Sequence, residues 1–122
     1  DDSLKTSALT MNEANLKTID LKKARKQHGN LTNVLKGLGL KIFNLPSSGY
    51  PDSVFIEDTC VIIENTAMIT HPGAKSRQGE TSLVREYLKT IEPDRLVVTD
   101  LKEGNVDGGD VMFTGKPSLA IP

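Results

Sequence analysis

Tryptophan is missing from this chain, cysteine occurs once, and aromatic residues of all kinds make up only 4% of it. A single cysteine excludes an internal disulfide framework and any zinc site built from several thiolates, and it suits a reducing compartment. No apolar run is long enough to span a bilayer. No secretory leader is visible, and the start at Asp1 leaves a processed end and a truncation both open. An excess of either charge is absent too. Fifteen basic and sixteen acidic residues leave a formal net charge of −1, so nothing points to a nucleic-acid or membrane partner. The hydrophobic share, 37% of 122 residues, allows one modest core, in one domain or part of a larger one.

What the chain does have is a concentration of carboxylates beside apolar segments. Asp52, Glu57 and Asp58 fall just before Cys60-Val61-Ile62-Ile63, a β-branched run that reads as a buried strand. Acids beside a buried strand are costly to desolvate unless a cation pairs with them. A turn of solvated acids is one reading; a rigid carboxylate rim for a cationic ligand is the other. A second acidic stretch, Val106-Asp107-Gly108-Gly109-Asp110-Val111, favours the rim.

Taken in order, the pattern predicts an α/β chain. Residues 1–19 read as an N-terminal arm or loop. Leu21, Ala24, His28, Leu31, Leu35 and Leu38 recur at helical spacing and predict an amphipathic helix over Asp20–Lys36. Asp20 is its expected N-cap, and Gly37 and Gly39 form a left-handed stop. His28, on the apolar face, is expected to be packed or half-buried. Leu40–Leu45 is strand-like and Pro46 ends it. Cys60–Ile63 and Thr66–Thr70 predict a hairpin turning at Glu64-Asn65. Thr81 is the expected cap of a second helix with Val84, Tyr87, Leu88 and Ile91 on its face. Leu96–Thr99 and Val111–Phe113 read as short strands, and residues 116–122 as coil. The stretch from about Thr59 to Thr99 is thus one complete ββαβ unit, flanked by parts of similar units within an α/β domain over residues 20–115.

Four segments carry a resemblance: Pro51-Asp52-Ser53-Val54-Phe55-Ile56-Glu57-Asp58; Ala67-Met68-Ile69-Thr70-His71-Pro72-Gly73-Ala74; Ser76-Arg77; and Val106-Asp107-Gly108-Gly109-Asp110-Val111. In this order and spacing they resemble the dimethylarginine dimethylaminohydrolase family of the guanidine-modifying pentein superfamily. The resemblance runs from about Leu16 to Gly115. It implies a propeller of ββαβ modules, of which this chain, as an N-terminal portion, would hold about two. It also implies hydrolysis of methylated arginine to citrulline and an amine, no cofactor and no metal, a cytoplasmic setting, and a link to arginine metabolism and nitric oxide regulation.

Residue by residue, the resemblance implies that Asp58 grips the substrate guanidinium, that Glu57 supports it, and that Asp52 contacts the substrate's amino end. Arg77 would help hold the substrate carboxylate, and Asp107 would be the acid serving the family's catalytic histidine. The family's nucleophilic cysteine and that histidine match no residue of this chain, and His71 stands where an arginine is common. Cys60, inside an apolar strand, reads as a small buried hydrophobe with a raised pKa rather than a nucleophile. Two functional readings lead, beside a third, a truncated product with no autonomous function. One is part of a hydrolase, completed by a missing C-terminal half or by another copy of the chain. The other is a catalytically inactive guanidine-binding or interaction module.

Overall fold

The structure, a computed structural model, describes residues 19–91, 93–115 and 119–120. The arm expected over residues 1–19 lies outside them except for Ile19. The chain divides into two units, Asp1–Pro51 and Asp52–Pro122.

In the first unit, helix α1 spans Leu21–Gly37. The Asp20 carboxylate accepts the Lys23 N–H at 3.0 Å, satisfying a donor that a helix start otherwise leaves orphaned. The helix closes where the Gly39 N–H reaches the Lys36 carbonyl, with Gly39 at φ +82°, in the left-handed region that glycine enters without a Cβ clash. The amphipathic spacing is present, but no residue of α1 is buried, and His28 is exposed rather than packed. The strand expected over Leu40–Leu45 does not form. The Leu40 N–H is turned back to the end of α1, donating to the Leu35 carbonyl at 3.1 Å, and so is not presented to a neighbouring strand. Leu40 and Phe43 are instead exposed, and the Lys41 ammonium sits 4.7 Å from the Phe43 ring centroid.

The second unit holds the complete ββαβ pattern. Strands β1 (Cys60–Ile63) and β2 (Thr66–Ile69) pair antiparallel, with Cys60 opposite Ile69 and Ile63 opposite Thr66. Their two-residue turn places Glu64 at φ 52°, unusual for a residue with a Cβ. Helix α2 (Glu80–Ile91) then returns the chain so that β3 (Val97–Asp100) pairs parallel to β2, giving the sheet order β1-β2-β3. Alternation along β2 sends Ala67 and Ile69 inward, and α2 presents Val84 and Leu88, which with them are buried apolar side chains among the described residues. Arg85 on α2 holds Asp100 on β3, with Nη1 donating at 3.0 Å. Thr81 does not cap α2. It lies inside the helix, its hydroxyl donating back to the Gln78 carbonyl, and the helix begins one residue earlier, where the Glu80 N–H reaches Arg77.

Beyond β3 the chain bridges back, Val106 pairing with His71. A 3₁₀ turn at Gly108–Asp110 leads into β4 (Met112–Phe113), which pairs antiparallel with β5 (Leu119–Ala120). Of residues 116–122, expected as coil, only Leu119–Ala120 lie within the described residues, and they form a strand, because β4 supplies the backbone partner that composition does not reveal. The 3₁₀ turn packs on a second one, Ile56–Thr59, at a distance that excludes side chains. A Cβ on Gly108 would stand 2.9 Å from the Cys60 carbonyl oxygen and closer still to that of Glu57.

Two measurements test this packing. Ile69 is 1% exposed and Ile62 is 51% exposed. Ile69→Ala is expected to lose about 2–5 kcal/mol in urea unfolding, and Ile62→Ala about 0.5 kcal/mol or less. Gly108→Ala is expected to destabilise by about 1–3 kcal/mol through overpacking against backbone that cannot step aside. Gly73→Ala, whose new Cβ would find only the Asn105 Cβ at 3.9 Å, serves as the tolerated comparison. Equal midpoints for these two glycine variants would refute the close approach of the turns.

Candidate functional site

The acidic segment ahead of β1 is shaped by its own backbone. The Phe55 N–H turns back to the Asp52 carbonyl at 3.0 Å, and the Asp58 N–H to that of Phe55 at 3.2 Å. Thr59 fixes the next residue, its hydroxyl donating to the Ile56 carbonyl at 2.7 Å. Thr70, just past β2, donates its hydroxyl to the Asp58 carbonyl at 2.6 Å and its N–H to that of Thr59 at 3.1 Å. The end of the central strand therefore sets where Asp58 stands.

Arg77 holds the cluster together. It is 8% exposed, and its guanidinium reaches two segments, the acidic one ahead of β1 and the start of α2. Nη1 donates to Asp58 Oδ2 at 2.6 Å. Nε and Nη2 both donate to Glu80 Oε2, at 3.1 and 2.9 Å. Nη2 also meets the carbonyls of Asp52 and Phe55, each at 3.3 Å. The Phe55 ring centroid lies 5.9 Å from the guanidinium carbon, within cation–π range. Burial alone pulls the Arg77 pKa down, but the hydrogen bonds and negative charges of Glu80 and Asp58 more than offset it, and the net shift is upward. This cation stays charged at any working pH.

The second acidic stretch arrives at the same place. Asp58 Oδ1 accepts the Gly109 N–H at 3.1 Å, across fifty-one positions of sequence. A Cβ on Gly109 would come within 2.5 Å of that oxygen, which gives the paired glycines of Asp-Gly-Gly-Asp a physical reason. Asp107 precedes the turn half-buried, with Oδ1 enclosed and accepting no hydrogen bond among the described residues. Asp58, Arg77 and the Asp107–Asp110 turn are thus brought together. Asp52 joins them through its carbonyl and is itself buried, whereas Glu57 is exposed on the rim.

Glu80 went unnoticed in the sequence. Its position three residues after Arg77, at the start of a helical pattern, is the signal that would have found it. Cys60 opens β1 half-buried; desolvation pushes its thiol pKa up, opposed by a hydrogen bond with Thr59. His71 is exposed, with Nδ1 3.2 Å from the Gly104 carbonyl. No group of three or more His, Cys, Asp or Glu suited to a metal ion occurs among the described residues.

No family model matches the chain. Known proteins do. The N(G),N(G)-dimethylarginine dimethylaminohydrolase of Pseudomonas aeruginosa is 36% identical over 97 residues, which cover 79% of this chain and 38% of that protein. A crystal structure of a dimethylarginine dimethylaminohydrolase variant as its adduct with S-methyl-L-thiocitrulline superposes with a TM-score of 0.77 at 34% identity, covering 93% of this chain and 43% of the other. A second structure, the Pseudomonas aeruginosa enzyme with its cysteine changed to serine and complexed with citrulline, gives 0.74 at 33%, covering 94% and 44%. The chain spans less than half the length of each of these relatives. Shared sequence and a shared ββαβ fold together make this chain a dimethylarginine dimethylaminohydrolase-like portion of the pentein superfamily.

Proposed function

We propose that this chain supplies the substrate-binding acids of a hydrolase that converts methylated arginine to citrulline and an amine. The observation that carries the reading is the setting of Asp58. Its carboxylate is fixed by Gly109 on one oxygen and Arg77 on the other, in a cluster where one guanidinium faces two carboxylates, Asp58 and Glu80. Such a cluster keeps an excess of negative charge that a cationic, planar guanidinium can offset. Asp58 grips that group, with Glu57 beside it on the rim. Asp52 takes the substrate's amino end and Arg77 helps with its carboxylate. Asp107, with its enclosed oxygen, serves as the supporting acid of a proton-carrying histidine, a role that suits an acceptor whose partner comes from elsewhere. Relatives captured with citrulline and with S-methyl-L-thiocitrulline support a small arginine-like ligand.

The nucleophile and the histidine come from further polypeptide, either a C-terminal half or a second copy of the chain. The cytoplasmic setting and the place in arginine metabolism and nitric oxide regulation belong to this same reading. A binding module without chemistry is the second reading, favoured by the desolvated thiol of Cys60, which fits a packed residue and not an attacking one. Binding by itself does not lower a chemical barrier.

Calorimetric binding of dimethylarginine separates the acids. Asp58→Asn is expected to lose about 2–5 kcal/mol of binding free energy, because it removes one partner of a desolvated charge pair. Glu64→Gln, in the exposed hairpin turn, is expected to change it by about 0.5 kcal/mol or less. Asp107→Asn is expected to leave affinity near wild type and to lower citrulline formation where turnover is present. Equal affinities for wild type, Asp58→Asn and Glu64→Gln would reduce the acidic rim to a solvated turn.

Alkylation tests Cys60. Its raised pKa leaves less thiolate at a given pH, so at about pH 8 iodoacetamide is expected to react more slowly than with free cysteine, and to recover the free rate in urea. A native rate at or above that of free cysteine would reopen Cys60 as a nucleophile.

A further inference from the structure

We propose that Glu80, which none of the inferred ligand contacts involves, is a positioning residue that sets the Asp58 carboxylate through Arg77. Glu80 is 3% exposed and opens α2. Its Oε2 takes two of the Arg77 donors, Nε at 3.1 Å and Nη2 at 2.9 Å. Two contacts to one oxygen fix the direction in which that edge of the planar guanidinium faces, and the carbonyls of Asp52 and Phe55 at Nη2 limit its roll. With that edge held, Nη1 has one place to go, Asp58 Oδ2 at 2.6 Å. The other oxygen of Asp58 is then presented to the Gly109 N–H at 3.1 Å. The connection runs from the start of the helix, through a buried cation, to the 3₁₀ turn of the second acidic stretch.

Charge gives Glu80 a second task. With Glu80 ionised, Arg77 divides its charge between two carboxylates. With Glu80 neutralised, the buried cation keeps Asp58 as its only ionic partner among the described residues and binds it more closely. Asp58 is then neutralised from within and attracts an incoming guanidinium less. The positioning effect needs no ligand to be seen; the effect on affinity rests on the proposed function.

The test is nitrogen-15 NMR on the 122-residue chain, reading hydrogen exchange at the Arg77 Nε–H and at the Gly109 amide, with the β2 amides reporting the fold. For Glu80→Gln we expect faster exchange at both groups and unchanged protection in β2. We expect Glu80→Asp, which keeps the charge on a shorter arm, to restore part of the protection. Glu86→Gln, which alters an exposed ion pair with Lys89, should move neither. A Gly109 amide unmoved in Glu80→Gln would overturn the proposal. So would loss of β2 protection in both Glu80 variants, which would make Glu80 a plain structural residue.

Calorimetry with dimethylarginine gives the second arm. Glu80→Gln is expected to weaken binding about tenfold, within the range produced by network positions that touch no ligand. Weakening by Asp58→Asn with none by Glu80→Gln would overturn the positioning role. Affinity indifferent to Asp58→Asn would sink the guanidine-binding reading instead, and the NMR result would still decide the role of Glu80.

Discussion

A buried arginine has few places to be. Its guanidinium carries five donors and a permanent charge, and removing it from water is unfavourable unless acceptors and anions surround it. Arg77 meets that requirement by drawing on the acidic segment ahead of β1, through the Asp58 carboxylate and the carbonyls of Asp52 and Phe55, and on the start of α2, through Glu80. Asp58 passes the constraint on to the Asp107–Asp110 stretch through Gly109. Three segments far apart in sequence are located by one side chain's need for partners. Among the described residues Ala67, Ile69, Val84 and Leu88 are buried apolar side chains, and the Arg77 contacts add polar fixation beside them.

The glycines complete the arrangement from the other side. An ion pair fixes polar ends but tolerates some slack in the backbone. Contact between the two 3₁₀ turns removes that slack, since Gly108 lies against the carbonyls of Glu57 and Cys60 and Gly109 against the Asp58 carboxylate. The sheet carries the same location into the core. Thr70, at the end of β2, hydrogen-bonds the Asp58 carbonyl, so the segment is referenced to the most buried strand. A site built this way draws its rigidity from a strand end and a helix start, and the loops between them only connect.

What the sequence made legible follows from which interactions are local. Helix α1 and its Asp20 cap, the β1–β2 hairpin, and the ββαβ order through α2 and β3 all rest on periodicity and on contacts a few residues apart, and those appear in the structure. The strand expected over Leu40–Leu45 does not form, and within residues 116–122, expected as coil, the described pair Leu119–Ala120 forms a strand. A strand depends on a distant partner that local sequence does not name: Leu119–Ala120 has one in β4, whereas Leu40 gives its N–H to Leu35 at the end of α1. Thr81 was misplaced because a hydroxyl just before an apolar face looks alike whether it caps from outside or donates backward from the first turn. The acids were found by composition and by family resemblance, but their mutual geometry was not. Nothing local says that Gly109 lies on Asp58 or that Glu80 takes half of Arg77.

That geometry bears on whether Asp58, already bonded on both oxygens, can receive anything more. A carboxylate has about four acceptor positions. Gly109 and Arg77 use one on each oxygen, so two remain, and the bonds in place hold the group's orientation while leaving its charge only partly neutralised. A free aspartate must lose rotamer freedom and rearrange its water when it grips a ligand, and those losses reduce the affinity that results. Asp58 has met most of them during folding. On the proposed reading, Arg77 is therefore the group that prepares Asp58 for a guanidinium and not its competitor, provided a second anion keeps Arg77 from satisfying itself on Asp58 alone. Glu80, buried and directed at the same cation, is placed to be that anion.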